Sequence, residues 1–278
     1  MKRVWFNRDL VTGKLALSAQ DRGLTLGDGL FETLAVNKGI ALWRFEHIER
    51  MRKAAHELGI PFPEAEIENA IDALTHRSKD HHVLRLILTR GEGGRGLAGD
   101  IAKPTLIGTL QPFDANLRFQ PVSLMTSTVR RNLHAPSSRM KTTSYIDNIL
   151  AAREAHAAGA DDALLLNTAG RVSCSSIGNV FLELGGELVT PSFNEGILPG
   201  IMRDAVIRLA RHAGITVRER QVKATELAQA DFAFVTNSLR FVRPVSKHDG
   251  KRFSLRSKLV DRIVQGLLNA EQEQIILN

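Results

Sequence analysis

Cysteine is nearly absent from this chain: Cys174 is the only one in 278 residues. An intramolecular disulfide is therefore impossible, and the composition argues against a zinc site built on thiolates. No metal site is expected. Aromatic residues make up 5% of the sequence, and its 37 lysines and arginines are scattered. The net charge of +7 therefore does not read as a nucleic-acid footprint. It suits attraction of a small anionic cofactor or substrate. Long apolar runs are also missing. No stretch approaches the ~20 residues that cross a bilayer. The segment 1–7 lacks the apolar core of a signal peptide, so the chain reads as cytoplasmic. No internal repeat or low-complexity tract is visible. What is present is apolar content, 43%, enough for one large domain or two medium ones.

Short strands broken by turns are predicted at Lys2–Asn7, Leu15–Leu17 and Leu30–Val36, with a Gly-rich stretch at Asp21–Gly29. Phe45, Ile48, Met51, Ala55 and Leu58 then fall on one helical face, and Gly59 with Pro61 ends that helix. Glu64–Leu74 is a second amphipathic helix. Val83–Thr89 and Thr105–Leu110 read as buried strands flanking a loop, Arg90–Gly96. Gln111–Pro121 is polar and carries two prolines, which sets the division into a small N-terminal α/β domain (1–113), a linker (114–121) and a larger C-terminal cofactor-binding domain (122–278). In the second domain a strand at Val122–Val129 precedes a helix running from Lys141 to about Ala158. Hairpins turn at Asn167–Gly170 and Gly185–Gly186, and Ile201–Ala213 is a helix stopped by Gly214. Further strands are expected at Thr216–Val222, Phe232–Thr236 and Phe241–Val245, with a terminal helix at Leu255–Glu271. The class is α+β, with more hairpins than a doubly wound parallel sheet.

Three motifs carry candidate chemistry. In Arg139-Met140-Lys141-Thr142-Thr143-Ser144-Tyr145, a polar loop ends in one lysine. A lysine held partly desolvated on a packed element becomes a nucleophile toward aldehydes, which is Schiff-base chemistry. In Glu195-Gly196-Ile197-Leu198-Pro199-Gly200-Ile201-Met202-Arg203, glycines and a proline directly precede a helix. The free amides at Ile201 and Met202 and the positive helix end suit a phosphate. Thr236-Asn237-Ser238-Leu239 offers hydroxyl and amide donors after a buried strand. Each signal is weak alone, and each has an ordinary structural reading.

Taken together, Phe45–Met51, Lys141–Ala151, Gly170–Phe181, Gly196–Arg203 and Thr236–Val245 occur in the order and spacing of fold-type IV pyridoxal-phosphate enzymes. The sequence resembles the class IV aminotransferases, a family that includes branched-chain and D-amino-acid aminotransferases and aminodeoxychorismate lyases. The resemblance runs from Asp21 to Gly250. It implies a two-domain fold whose larger domain has a β-barrel-like core, and a homodimer with the cofactor between the two domains. It implies that Lys141 carries pyridoxal 5'-phosphate as a Schiff base and shuttles a proton at the substrate's α-carbon. Arg50, the backbone of Ile201 and Met202, and Ser238 with Leu239 would hold the phosphate. Tyr145 either hydrogen-bonds the ring phenolate or packs against the neighbouring hairpin.

Three positions of the cofactor site depart from the family pattern. Relatives place a glutamate where Cys174 stands, to ion-pair with the pyridine nitrogen. A neutral thiol does this poorly, and a thiolate would substitute in part. Met202 and Ser238 stand where many relatives have threonine. On the substrate side the resemblance puts Phe31 and Glu32 at the pocket. It assigns Arg95 to the substrate carboxylate, with Leu97 replacing a histidine of the D-amino-acid enzymes. The activity it implies is transamination between an amino acid and a 2-keto acid. The alternative is a 4-amino-4-deoxychorismate lyase releasing pyruvate and 4-aminobenzoate, which the Arg90–Gly96 loop and Asn237–Val245 resemble closely.

Overall fold

The computed structural model describes residues 3–94, 96–98 and 103–277. The chain divides into two compact units, Met1–Asp114 with Met140–Ser144 and Glu273–Asn278, and Ala115–Arg139 with Tyr145–Gln272. In this division the five residues Met140–Ser144, which include Lys141, and the C-terminal Glu273–Asn278 group with the first unit.

In the first unit, β1 (Arg3–Phe6), β2 (Asp9–Thr12), α1 (Arg22–Leu26), β3 (Gly29–Asn37), β4 (Ile40–Ala41), α2 (Arg44–Leu58), α3 (Glu64–Thr75), β5 (His82–Thr89) and β6 (Thr105–Pro112) follow in order. The strands form one six-stranded sheet, β2-β1-β6-β5-β3-β4. Strand alternation sends Leu30, Leu34 and Val36 of β3 and Leu84, Leu86 and Leu88 of β5 to one face. There they pack with Ile48, Met51 and Ala55 of α2 and Ile67, Ile71 and Leu74 of α3. The strand expected at Leu15–Leu17 does not form; the N-terminal hairpin is made by Asp9–Thr12 instead. The Gly-rich stretch contains a helix because Asp21 caps it, accepting from the Gly23 amide at 2.8 Å. The fully buried Asp21 carboxylate also accepts from the Thr89 and Thr105 hydroxyls, each at 2.8 Å, which ties α1 to β5 and β6.

In the second unit, β7 (Val122–Arg131), α4 (Ile146–Ala157), β8 (Asp162–Asn167), β9 (Val172–Ser175), β10 (Asn179–Leu184), β11 (Glu187–Pro191), α5 (Ile201–His212), β12 (Val217–Arg220), α6 (Ala224–Gln229), β13 (Phe232–Asn237), β14 (Phe241–His248), β15 (Lys251–Arg252) and α7 (Lys258–Leu277) follow. The sheet order is β12-β11-β10-β13-β14-β7-β8-β9, and β9 also pairs with β10 through Cys174 opposite Asn179. That pair closes β10, β13, β14, β7, β8 and β9 into a six-stranded barrel. Leu124, Leu164, Leu166, Val172, Val180, Leu182, Val235 and Val245 fill one side of its wall. The alternate residues Ala163, Leu165 and Cys174 pack with Ala151 and Ala155 of α4 and with Ile197. Both expected hairpins, β8–β9 and β10–β11, are present. The helix expected to begin at Lys141 begins only at Ile146.

Asp21→Ala strands one amide and two buried hydroxyls at once. It is expected to lower unfolding free energy by about 3 kcal/mol in urea titrations; a loss under about 1 kcal/mol would show that Asp21 ties nothing together.

Candidate active site

The lysine is placed by backbone pairing. Along the open edge of β3, the Phe31 amide donates to the Lys141 carbonyl at 2.8 Å, and the Thr143 amide donates to the Gly29 carbonyl at 2.9 Å. Leu30 and Thr142 sit directly opposite one another. With that register the chain alternates as a short edge strand: Met140 and Thr142 are buried, Met140 within the helix-covered core, while Lys141 lies on the face shared with Phe31. The Thr143 and Ser144 hydroxyls both donate to the Gly27 carbonyl, at 2.8 and 3.3 Å, and clamp the segment's far end. The Lys141 Nζ comes to 4.3 Å from the centre of the Phe31 ring, and the Arg85 guanidinium lies over the same ring at 4.3 Å. Phe31 itself is 5% exposed. The half-buried lysine therefore rests on an apolar surface rather than in open solvent.

Glu32 follows Phe31 on the strand, so its side chain leaves the opposite face, toward α2. There Arg50 Nε and Nη2 donate to its two oxygens at 2.8 and 2.6 Å, and His47 Nδ1 approaches Oε2 at 2.6 Å. Burial, the largest single influence, pushes the Glu32 carboxyl up, but the charges and hydrogen bonds of Arg50 and His47 together outweigh it and hold the group down at about 2. Burial lowers the His47 value, against the pull of Glu32; the charges of Arg50 and Lys141 act with burial. The ring is thus neutral, its Nδ1–H donates to the carboxylate, and its buried Nε2 has no partner among the described residues. Glu32 is therefore a residue that orients Arg50 from the core, not one that borders an open pocket. Its signal was in the sequence, since His47 and Arg50 share one stripe of α2, but a carboxylate on β3 as their partner is visible only once the strand is laid against the helix.

Arg95 lies outside the described residues. Its neighbours are anchored: the buried Arg22 donates to the Gly96 and Leu97 carbonyls, both at 2.8 Å, and to Asp28 at 2.9 Å.

In the second unit, Cys174, Asn179 and Thr236 stand in one row across β9, β10 and β13, each opposite the next. Three side chains of the barrel wall draw the loop before α5 onto it. The Ser173 hydroxyl donates to the Glu195 carbonyl at 3.0 Å, Arg131 Nε to the Gly196 carbonyl at 3.1 Å, and Asn179 Nδ2 to the Leu198 carbonyl at 2.9 Å. Gly200 caps α5 without any side-chain hydrogen bond. A Cβ at Gly200 would lie 2.0 Å from Asn179 Oδ1, so a larger residue would have to displace the Asn179 amide that holds the Leu198 carbonyl. The amides of buried Ile201 and Met202 open a 12-residue helix, among the N–H groups that no helical carbonyl can reach. Ser238 is half-buried in the turn after β13, and the Leu239 amide is already taken by Asn237 Oδ1 at 3.1 Å. Tyr145 is the half-buried N-terminal flank of α4. Cys174 is buried among alanines, Leu165 and Ile197, and burial pushes its thiol up despite the nearby Arg131 charge. It is a neutral thiol, which removes the thiolate alternative.

Residues 29–248 match the amino-transferase class IV family. A Methanocaldococcus jannaschii protein provisionally named a branched-chain-amino-acid aminotransferase is 32% identical over 271 residues, 95% of this chain and 93% of its own. A 4-amino-4-deoxychorismate lyase from Pseudomonas aeruginosa superposes with a TM-score of 0.85 at 30% identity, covering 94% of this chain and 97% of that one. A branched-chain aminotransferase from Thermoproteus uzoniensis, solved with norvaline, gives 0.90 at 25% identity over 99% and 97%. The chain belongs to the class IV aminotransferase family and is an enzyme of that class.

Glu32→Gln is expected to destabilise the protein by about 2–3 kcal/mol at pH 7, because it removes the carboxylate charge that pairs with the largely buried Arg50 guanidinium. The Glu32 value is depressed, so its contribution is complete above the ordinary 4.5 and is lost as pH falls toward 2. Denaturant titrations should give a constant difference between pH 5 and 7 that narrows below about pH 4.5. A difference that grows on acidification would contradict the pairing.

Proposed function

We propose that this enzyme is a pyridoxal-phosphate transaminase in which Lys141 is the nucleophile and proton carrier. The observation that supports this most is the Lys141 amine held over Phe31 on a paired strand edge. Residues present fit the cofactor. Lys141 offers an amine with a fixed backbone; the uncapped α5 start with Gly200 against Asn179 offers amides for an anion. Ile201, Met202 and Ser238 would hold the phosphate together with Arg50, whose guanidinium Glu32 keeps in one orientation. The cofactor, when bound, supplies an aldehyde-bearing ring that withdraws electrons from the substrate's α-carbon. Lys141 Nζ would then move the proton at that carbon. Cys174 would face the ring nitrogen as a neutral group, so the ring would be a weaker electron sink than one paired with a carboxylate. Phe31 would wall the substrate side, and Arg95 would bind its carboxylate. The catalyst is proposed to act as a cytoplasmic homodimer on a small amino acid and a 2-keto acid.

The lyase is the second reading, supported by the 30% identity to the Pseudomonas aeruginosa lyase, close to the 32% to the Methanocaldococcus jannaschii protein. Incubation with D- and L-amino acids and a 2-keto acid is expected to yield the transaminated pair. Release of pyruvate and 4-aminobenzoate from aminodeoxychorismate, with no amino transfer, would replace the first reading by the second. Lys141→Ala should cut either turnover by about 10³-fold. Cys174→Glu should change the absorbance of the bound cofactor and its pH dependence; an unchanged spectrum would mean that position 174 does not face the ring nitrogen.

A further inference from the structure

Thr236 carries a hydroxyl that none of the described residues uses. The residue is 2% exposed, and Oγ1 has no hydrogen-bond partner among the described residues. A buried hydroxyl without a partner is costly, and sites where such a cost persists call for an explanation. Its surroundings supply one. Thr236 pairs directly with Asn179 across β10 and β13, so the two side chains leave the same face of the barrel wall. Asn179 on that face touches Gly200 and holds the Leu198 carbonyl, which puts the start of α5 beside the row. Cys174 is on the other side of Asn179, one strand spacing away, so Thr236 and Cys174 are separated by two spacings, roughly 10 Å. The unpartnered hydroxyl therefore flanks the helix start and stands at the end of the row away from the thiol.

We infer that Thr236 Oγ1 is a ligand of the phosphate group at the α5 start, donating the hydrogen bond that Met202, lacking a hydroxyl, does not. The inference rests on the pyridoxal-phosphate reading and extends it to a residue in the strand itself, before the Asn237–Leu239 turn. A threonine hydroxyl donates well to a phosphate oxygen, and the bond is charge-assisted. The same atom is a liability in the ligand-free protein and a contact in the loaded one, so stability and affinity should respond in opposite directions to its removal.

The test is Thr236→Val, which keeps the shape and deletes the hydroxyl, with Thr236→Ser as the variant that restores it. Cofactor-free proteins are titrated with pyridoxal phosphate and, separately, with pyridoxal, and their melting is followed without ligand. Thr236→Val is expected to bind pyridoxal phosphate on the order of tenfold more weakly and pyridoxal as tightly as the parent. Its ligand-free Tm should rise by about 2–4 °C. Thr236→Ser should restore the affinity. Equal pyridoxal-phosphate affinity in Thr236→Val, or an equal loss for both ligands, overturns the assignment to the phosphate. A parent protein that takes up no pyridoxal phosphate removes the functional reading itself, an outcome distinguishable from the first two because it appears before any substitution.

Discussion

Two backbone hydrogen bonds along the edge of β3 govern the site. They fix the register of Met140–Ser144 against Gly29–Phe31, and a register shift of one residue would exchange the faces of Met140 and Lys141. An apolar side chain would then lose its core contacts and an amine would be buried among Leu30 and its neighbours, a loss of several kcal/mol on either count. The core thus defends the position of Lys141. Precision comes from packing that has no part in the chemistry, and the hydroxyls of Thr143 and Ser144 lock the remaining freedom onto the Gly27 carbonyl.

The same separation of labour recurs one residue along the strand. Phe31 gives Lys141 an apolar surface, while Glu32 turns to the opposite face and holds Arg50 from beneath with a carboxylate whose pKa burial alone would have raised. In the second unit the wall of a closed barrel anchors three carbonyls of the loop before α5, those of Glu195, Gly196 and Leu198. The helix therefore starts at a defined place with its amides uncommitted to a cap. The proposed anion site, made of backbone and held by distant side chains, would tolerate Met202 in place of a threonine, because the amide does not depend on the side chain.

The helices and hairpins were legible in the sequence because their periodicity is local: Phe45–Leu58 repeats every three or four residues, and Gly185–Gly186 can hardly be anything but a turn. The glycine-rich lead into a helix at Gly196–Met202, where the anion site is proposed, was legible for the same reason, and the helix starts at Ile201. What was not legible depends on distant pairing. Nothing near Lys141 says that it lies on a strand edge of the first unit, and a run of threonines before Ile146 reads equally well as the first turn of a helix. The role of Glu32 required His47 and Arg50 to be brought over it. The neutral state of Cys174 required the alanines of α4 and β8, which lie up to 23 residues away in sequence. Strand β2 was missed because Asp9–Thr12 is short and largely exposed and carries no clear alternation.

The central claim is that one amine, set by strand pairing, takes the cofactor's aldehyde. The most direct measurement is reduction of the loaded protein with borohydride followed by peptide mapping in a mass spectrometer. A single reduced pyridoxyl-phosphate adduct on Lys141 is predicted. An adduct on another lysine, or none after saturation with the cofactor, would contradict the account.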